Sequence, residues 1–443
     1  MPKKLSSGRL ISYDAFVSVF EEGLSPHDVL NKAYLDSPWV TRLDKNFIKE
    51  LLFGSLRWYS KIFWILQKVS KRDLLTVKPE VRAALVLGTY QIFYMDKVPD
   101  RAAVNESVEY VRQRGMAHAT GFINGILRAI SRKTEYFAKP DKKKKPCEYL
   151  ALQYAHPEWL VRTWSLRFNF EKLKTILSAN NHQPPLTIRI NQKKIAFDEI
   201  FQFKTELLKT EKTKSNFSHL DYCVTLAEFP RIDKTSWFAK GYYTIQDESS
   251  QLISHLVNPQ EGEKILDACA GLGGKTGHLY ELAPASASIV ALDTSDMRAG
   301  KAKEAFKRLG YSGIEYNVCD LFDYIPDFLY DKILLDAPCS GFGVLRRHPE
   351  GKWQKKADTS FELAKKQKKL IEKSFDLLKV GGELIFSVCS FELQESLDNL
   401  DWLQEKKDIE VISIEQRLPV YYSKYITKNK ILMIYPGNKE NMD

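Results

Sequence analysis

The chain has 443 residues, of which 44% are hydrophobic and 28% are charged. This length suffices for about three globular domains, and the apolar content excludes a disordered protein. No run of about 18 apolar residues exists, which excludes a transmembrane helix, and the first residues lack the apolar core of a secretory signal. We therefore expect a cytoplasmic protein. The formal net charge of +10 favours a polyanionic partner, most often a nucleic acid.

The six cysteines and eight histidines form no CxxC pair and no zinc-ligand spacing. We therefore expect neither a disulfide scaffold nor a structural zinc site. Cys147 and Cys223 are interpreted as packing residues, because cysteine is usually buried as a small apolar group. We expect a monomer that binds no metal and no membrane.

The first third of the chain, residues 1–138, has a helical pattern with few Gly or Pro residues. Its stretch VRAALVLGTYQIFYMD is apolar on most sides, which is typical of a buried central helix. These patterns predict an all-α bundle. Residues 139–147 follow as a charged run bracketed by two prolines, which predicts an exposed linker.

The rest of the chain contains two further segments with different secondary-structure patterns. Residues 148–235 combine helical patterns with PPLTIRINQ, a strand entered from a double-proline break, and predict a small α+β module. From residue 236 onward, helical patterns alternate with the apolar runs KILDACAG, SIVALD, GIEYNVCD, DKILLDAP and GELIFSVCS. Such runs are typical of strands buried in a parallel sheet. The chain is thus predicted to be multidomain, with a C-terminal α/β Rossmann-like domain over 236–443.

The first of these strands leads into a glycine-rich turn, DACAGLGGKTG. Glycines allow a tight turn and a close ligand approach, and the next helix points free N–H groups at that ligand. The P-loop pattern fails because its first glycine would fall at Cys269. The dinucleotide fingerprint fails because its third glycine would fall at Thr276. The third interpretation is an S-adenosylmethionine site, in which the turn accepts the methionine end of the cofactor.

Carboxylates close three further strands, at Asp293, Asp320 and Asp336. Asp293 lies 22 residues after Gly271, the place for a carboxylate on ribose hydroxyls, and Asp320 is placed to reach an adenine edge. A lone Asp is about as often a helix cap. Because parallel strands end at one edge of a sheet, the coincidence of three carboxylates favours a binding function.

Cysteines follow two of the strand ends, Cys339 in DAPCSG and Cys389 in SVCS. Ligands bind beyond the carboxyl ends of such strands, so both thiols are predicted to face the cofactor crevice. The proline before Cys339 stiffens its turn, and the Ser and Gly after it permit a sharply turned backbone. Cys269 and Cys319 are expected near the cofactor as packing residues.

The motifs DACAGLGGKT, DAPCSGFGVLRRHPEGKW and SVCSFELQES resemble those of the RNA cytosine-5 methyltransferases. The closest resemblance is to the bacterial Sun (Fmu) type, which methylates a cytosine in small-subunit (16S) ribosomal RNA. It extends over nearly the whole chain, through FIKELLFGSLRW and GFINGILR of the first segment and HPEWLVRTW and YTIQDESSQLI of the middle one. It implies a NusB-like, RNA-binding N-terminal domain and a C-terminal class I methyltransferase domain that uses S-adenosylmethionine.

The resemblance also implies a mechanism and a set of site residues. It assigns the nucleophile to Cys389, whose thiolate adds to cytosine C6 so that C5 becomes electron-rich enough to attack the sulfonium methyl. It assigns Cys339 to breakdown of the covalent adduct, and Asp336 to holding the base by its N3/N4 edge and protonating it. The target base must be single-stranded or flipped out. The implied cofactor contacts are Cys269, Ala270, Gly271, Leu272, Gly273, Gly274, Lys275, Asp293, Asp320 and Asp336.

Contacts to RNA are expected from two further places. Arg346, Arg347 and His348 follow the DAPCSG turn and either meet phosphates or the flipped nucleotide, or lie in a solvated loop. The N-terminal bundle and the strand that carries Arg189 and Asn191 are expected to position RNA, mainly through salt-sensitive electrostatic contacts.

The chain departs from the family pattern at four places. Leu272 stands where the family more often has Pro, Val388 where it often has Thr, and Glu350 where it usually has Asp. Relatives usually continue after ILMIYPG with an apolar strand that begins Gly-Phe-Phe and closes the sheet as an antiparallel edge. We therefore expect a shortened chain or another element that covers this edge.

Three alternatives stay open on the sequence alone. The same chemistry can act on transfer RNA. A non-catalytic RNA-binding or assembly factor fits the missing strand, although the intact Cys339, Cys389 and Asp336 argue against it. A nicotinamide dehydrogenase fits the glycine turn but explains neither cysteine motif.

Overall fold

A computed structural model of the chain describes residues 7–132, 139–210, 214–226, 234–406 and 408–437. The chain divides into two compact units, Met1–His182 with Leu345–Ala357, and Gln183–Val344 with Asp358–Asp443. The predicted domain end at residue 138 and the last six residues lie outside the described part of the chain.

The first unit is helical, as its apolar periodicity predicts. Its central helix is buried without interruption from Ala83 to Gln91 and packs against four other helices of the bundle, which confirms the predicted buried helix. Helix starts follow local rules, since Pro26, Pro79 and Pro146 each begin a helix. The helices are α1 Ser7–Glu21, α2 Pro26–Asp36, α3 Arg42–Val69, α4 Pro79–Tyr94, α5 Asp100–Gln113, α6 Thr120–Arg132, α7 Pro146–Gln153, α8 Glu158–Ser165 and α9 Phe170–Ala179.

A short segment from late in the chain, Leu345–Ala357, also belongs to the first unit. Two of its side chains hold it against α3: the Trp353 indole donates to the Leu56 carbonyl at 2.6 Å, and the Lys352 ammonium donates to the Arg57 carbonyl at 3.2 Å. Lys352 is fully buried among neutral oxygens, and burial lowers the pKa of its ammonium well below the usual value.

The second unit contains two sheets. The smaller one is antiparallel, in the order β2-β3-β1-β4, and its strands are joined to three helices along the chain. Its elements are β1 Leu186–Ile190, α10 Ile200–Thr210, β2 Ser215–Phe217, β3 Cys223–Leu226, α11 Ser236–Ala239, β4 Tyr243–Ile245 and α12 Glu248–Val257.

The larger sheet is parallel, in the order β7-β6-β5-β8-β9. The strand order reverses between β5 and β8, and ligands of such sheets bind at the carboxyl end of that switch point. The predicted combination of α bundle, mixed module and Rossmann-like sheet is thereby confirmed. The elements are β5 Lys264–Asp267, α13 Gly274–Leu282, β6 Ser288–Asp293, α14 Asp296–Leu309, β7 Ile314–Val318, β8 Tyr330–Asp336, α15 Gly351–Gln354 (in the first unit), α16 Thr359–Asp376, β9 Leu378–Ser387 and α17 Leu397–Lys406.

Strand β9 forms one edge of the parallel sheet. Among the described residues it pairs with β8 alone, so the antiparallel strand of the family pattern is not seen there. Residues beyond α17 pack on its side chains instead: Arg417 binds Glu383 at 2.8 Å, and Ile385 packs with Tyr422 and Tyr425. None of the described helices has the length and apolar character needed to cross a membrane.

Candidate active site at the carboxyl edge of the parallel sheet

The glycine turn connects β5 to α13 through two residues in the left-handed region. Gly271 has φ +58° and Gly273 has φ +74°, values that favour glycine. A Cβ on Gly273 would lie 2.6 Å from the Phe306 ring, whereas a Cβ on Gly271 would meet nothing within 4 Å. Gly273 is therefore needed for packing against α14, and Gly271 borders open space that a ligand can enter.

The carboxylate that closes β6 is tied directly to this turn. The Gly271 N–H donates to Asp293 Oδ2 at 3.0 Å, while Asp293 Oδ1 accepts from the Ser295 N–H and the Arg298 guanidinium. Asp320 lies two residues beyond β7, half-buried, and its carboxylate accepts the Phe322 N–H at 3.0 Å. Both predicted carboxylates thus lie beyond strand ends of one sheet edge.

Two further carboxylates, Asp336 and Asp267, contact residues at the start of α13. Lys275 Nζ contacts Asp336 Oδ2 at 2.5 Å, and the Ser387 hydroxyl donates to Asp336 Oδ1 at 2.6 Å. Although burial opposes its charge, the Asp336 carboxylate raises the pKa of the Lys275 ammonium. This ion pair fixes the orientation of Asp336 at the end of β8.

Asp267 begins the glycine motif, but no sequence pattern indicates its role. Its Oδ2 accepts the Thr276 hydroxyl at 2.7 Å, and its buried Oδ1 has no hydrogen-bond partner among the described residues. Burial, together with the charge of Asp336, raises the pKa of the Asp267 carboxyl to about 7. An acceptor under an open turn, flanked by further carboxylates, fits a ligand that carries an ammonium group and hydroxyls.

The two predicted cysteines are brought together, although 50 residues separate them. Their sulfurs are 3.1 Å apart, with Cys389 exposed and Cys339 half-buried. The Gly343 N–H donates to the Cys389 carbonyl at 3.1 Å, so the two turns are joined through the backbone as well. The hydrogen bond to Cys389, then burial and the charges of Cys389 and Glu395, raise the pKa of the Cys339 thiol well above its usual value. This shift favours the protonated form of the Cys339 thiol.

Three of the other cysteines behave as packing residues, whereas Cys147 is only half-buried. Cys223 is buried, and Cys269 and Cys319 lie against the apolar core of the parallel sheet, as the sequence predicted. Burial raises the pKa of the Cys269 thiol to about 12. Among the family departures, Leu272 is 57% exposed on the glycine turn, and Val388 packs partly buried against the same core.

The expected RNA role of the β1 strand is not supported. Arg189 is 1% exposed and Asn191 0% exposed, so neither side chain can meet a nucleic acid. Arg189 forms an ion pair with Glu281 and donates to the Gly274 carbonyl at 2.9 Å, and Asn191 donates to the Leu309 carbonyl at 2.9 Å. Both buried side chains therefore link β1 to the helices of the parallel sheet.

The basic residues after the DAPCSG turn lie in the Leu345–Ala357 segment of the first unit. The Arg346 carbonyl accepts from the Arg57 guanidinium at 3.4 Å, and His348 Nδ1 lies 3.2 Å from Glu350 Oε1. Their contact with RNA stays a prediction. Among the described residues, no group of three or more His, Cys, Asp or Glu side chains is placed to hold a metal.

A buried hydrogen-bond network lies behind the cysteines, and no sequence pattern indicates it. Glu395 accepts hydrogen bonds from Ser340 and Gln367, and the Ser340 hydroxyl lies 3.0 Å from that of Ser390. Glu395 falls inside the quoted motif SVCSFELQES, but only its position in space reveals what it contacts.

A parallel sheet with a glycine turn after its first strand, acceptors at the neighbouring strand ends and a thiol pair beside them defines a Rossmann-like methyltransferase domain. Sequence profiles agree: residues 254–443 match 16S rRNA methyltransferase RsmB/F, residues 6–132 match the NusB family, and residues 156–233 match the ferredoxin-like domain of RsmF/B-like methyltransferases.

Whole-chain comparisons extend this result. The chain is 33% identical to a probable ribosomal RNA small subunit methyltransferase B of Bacillus subtilis, over 97% of this chain and 96% of that one. It is 33% identical to ribosomal RNA small subunit methyltransferase B of Klebsiella pneumoniae, over 88% and 87%. The crystal structure of PH0851 has the same fold, with a TM-score of 0.76, 21% identity and coverage of 92% and 91%. A methyltransferase homolog from Pyrococcus horikoshii gives a TM-score of 0.52 at 26% identity, covering 60% and 83%. The chain belongs to the 16S rRNA methyltransferase RsmB/F family, which confirms the resemblance.

Proposed function

We propose that the protein transfers a methyl group from S-adenosylmethionine to C5 of a cytosine in RNA, through a covalent adduct between Cys389 and C6. We propose small-subunit (16S) ribosomal RNA as the substrate. The observation that carries this proposal is the pair of sulfurs 3.1 Å apart at the carboxyl edge of the sheet. A single thiol at this edge would suit many ligands, whereas two thiols in contact suit a reaction that needs a nucleophile and a separate proton carrier.

The two thiols differ in the way this chemistry requires. Cys389 is exposed and can reach a base that enters from solvent. The raised pKa of Cys339 favours a protonated Cys339, whose S–H can donate to Cys389 and so favour the Cys389 thiolate. Once Cys389 is bonded to C6 it carries no negative charge. The largest influence that raised the pKa of Cys339 is then gone, and Cys339 can act as a base.

Breakdown of the adduct follows from this change. Cys339 first loses its own proton to solvent. As a thiolate it takes the proton from C5, the C5–H electron pair forms the C5–C6 double bond, and the C6–S bond breaks with its pair returning to Cys389. Asp336, held between Lys275 and Ser387, is oriented to bind the N3/N4 edge of the base during these steps.

The cofactor supplies the electrophilic methyl group. The chain's own residues fit its chemistry. The open side of Gly271 allows close approach, and Asp267 Oδ1, which has no hydrogen-bond partner among the described residues, can accept from an ammonium. Asp293 and Asp320 provide acceptors for ribose hydroxyls and an adenine edge. The binding set we propose is Cys269, Ala270, Gly271, Leu272, Gly273, Gly274, Lys275, Asp293, Asp320 and Asp336.

We further propose a division of labour along the chain. Residues 1–138 form a NusB-like RNA-binding domain, 139–147 a linker, 148–235 a small α+β module and 236–443 the methyltransferase domain. The net charge of +10 supports an RNA partner. We propose that the protein acts in the cytoplasm as a monomer.

The test uses purified full-length protein, tritiated S-adenosylmethionine and unmodified small-subunit ribosomal RNA, with transfer RNA in parallel. Nuclease digestion then identifies the labelled nucleoside. The expected result is label in 5-methylcytidine from ribosomal RNA alone, and none with Cys389→Ala.

The other outcomes each remove a specific part of the proposal. Label only in transfer RNA replaces the substrate, and label in another nucleoside rejects the C5 chemistry. A protein that binds no cofactor and labels neither RNA is a non-catalytic RNA-binding factor.

A further inference from the structure

Behind Cys339 lies a carboxylate that the proposed reaction does not use. Glu395 is 0% exposed, and it has no cationic partner among the ion pairs of the described residues. A buried carboxylate without a counter-ion is costly unless hydrogen bonds satisfy it. Here three donors do so: the Ser340 N–H at 2.7 Å, the Ser340 hydroxyl at 2.5 Å and the Gln367 amide at 3.2 Å.

These donors connect Glu395 to the residues on both sides of Cys339. Ser340 directly follows Cys339, and the Gln367 amide, which donates to Glu395, also donates to the carbonyl of Pro338 at 2.9 Å. Gln367 is itself held by Asn399, whose amide donates to it at 2.8 Å. Glu395 and Gln367 therefore hold the residues before and after Cys339, which fixes the position of its sulfur.

The turn of Cys389 is held by different groups. Its carbonyl accepts the Gly343 N–H, and the Ala337 N–H donates to Ser387 at the end of β9. The links from Glu395 to this turn are indirect: the Ser340 and Ser390 hydroxyls are in contact, and the Glu392 N–H donates to the Ser390 hydroxyl. A change at Glu395 should therefore disturb Cys339 more than Cys389.

We propose that Glu395 is a positioning residue for the second half of the reaction: its buried carboxylate holds the Cys339 turn in place for breakdown of the covalent adduct. This inference rests on the proposed function. Glu395 does not touch the reacting atoms; it acts through Cys339. The charged or titratable groups that act on Cys339 are Cys389 and Glu395, and after adduct formation Glu395 is the charge that remains.

Two variants separate geometry from charge. Glu395→Ala leaves both Ser340 donors without their acceptor, so we expect adduct breakdown to slow about tenfold or more while first-turnover methyl transfer stays within about threefold. Glu395→Gln fills the same space and keeps an acceptor for the Ser340 N–H, but it removes the charge. Since that charge raises the pKa of Cys339, the pH midpoint of adduct breakdown should move to lower pH.

The measurements are rapid-quench methyl transfer and the fraction of protein in a denaturant-stable RNA adduct, each followed over a range of pH. Glu372→Gln, a charge removal on the exposed side of α16, is the matched control and should behave as the unaltered protein. Cys339→Ala should accumulate adduct, and Cys389→Ala should form none.

The outcomes distinguish the inference from the function it rests on. If Cys339→Ala accumulates adduct while both Glu395 variants show the unaltered adduct fraction and pH midpoint, the inference is overturned and the function stands. If methyl transfer and adduct breakdown fall together in Glu395→Ala and the midpoint does not move in Glu395→Gln, Glu395 only stabilises the fold. If Cys389→Ala still methylates cytosine, the proposed function itself fails.

Discussion

Two polar clusters of the second unit differ in how far they are open to solvent. The Cys339 and Cys389 pair lies at an open sheet edge, with one sulfur exposed. The Arg189 and Glu281 pair is closed on all sides, with side chains 1% and 0% exposed. Tyr311 and Gln246 complete the second cluster, so its charges are satisfied by protein groups.

This difference in exposure distinguishes a ligand-binding site from an ion pair with a structural role. A buried charge whose hydrogen bonds are all made inside the protein has no capacity left for a ligand. An exposed thiol beside an open glycine turn has that capacity. The Arg189 cluster also contacts the glycine turn, because Arg189 donates to the carbonyl of Gly274 at the start of α13.

The largest expected effect is on activity, at Cys389. Because Cys389 is the proposed nucleophile, Cys389→Ala should reduce methyl transfer on the order of 10⁴-fold or more. Because its side chain is exposed, the free energy of unfolding should change by less than about 0.5 kcal/mol. Labelled-methyl assays and chemical denaturation measure the two quantities. A strongly destabilised variant would show that Cys389, like Arg189, has a structural role, and it would contradict the contrast between the two clusters.

Next in size is a stability effect at Arg189. Arg189→Met leaves Glu281 charged and buried, so it should cost about 3–5 kcal/mol of unfolding free energy. Adding Glu281→Leu should recover most of that loss, because the unpaired charge is then gone. Denaturation curves of the single and double variants provide the test. A single variant as stable as the unaltered chain would show that Arg189 has no structural role.

Two substitutions in the glycine turn, at Gly271 and Gly273, should have effects of intermediate size. Gly273→Ala combines left-handed strain with a clash against Phe306 and should cost about 3 kcal/mol. Gly271→Ala carries only the strain, about 1 kcal/mol, but its methyl group enters the open side of the turn and should weaken cofactor binding. Thermal unfolding and calorimetric titration with S-adenosylhomocysteine separate the two. Equal stability losses would contradict the assigned difference in packing.

The smallest expected effect is a pH dependence from Asp267. Burial raises the pKa of the Asp267 carboxyl to about 7, so the folded state binds a proton more readily than the unfolded chain does. Its contribution to stability is therefore full below the ordinary aspartate range and is lost as pH rises towards and through 7. Asp267→Asn cannot titrate and should flatten that part of the stability profile. Denaturation at a series of pH values tests this, and identical profiles for the two proteins would refute it.

Much of the fold follows from local patterns. Runs such as SIVALD are apolar on both faces, and they form β6 and its neighbours in a parallel sheet. The continuous apolar run in VRAALVLGTYQIFYMD forms the buried helix α4. Neighbouring residues alone carry these signals, because periodicity and capping depend on side chains a few positions apart.

The sequence predicted less about which polar residues are available. It placed Cys339 and Cys389 at strand ends correctly, because parallel strands end at one edge. It misjudged Arg189 and Asn191, because a polar residue in a short strand can face either solvent or a charged partner elsewhere in the chain. It gave no role to Glu395 or Gln367, whose partners lie tens of residues away.

The sequence by itself thus determined the buried helix of the bundle, the strands of the parallel sheet, the glycine turn, the carboxylates at strand ends and the two cysteine motifs. Only the tertiary structure decided that the two sulfurs lie 3.1 Å apart, that Arg189 is sealed against Glu281, and that residues 345–357 belong to the helical unit. The physical reason is that secondary structure depends on neighbours along the chain. Burial and pairing depend instead on residues that meet only after folding.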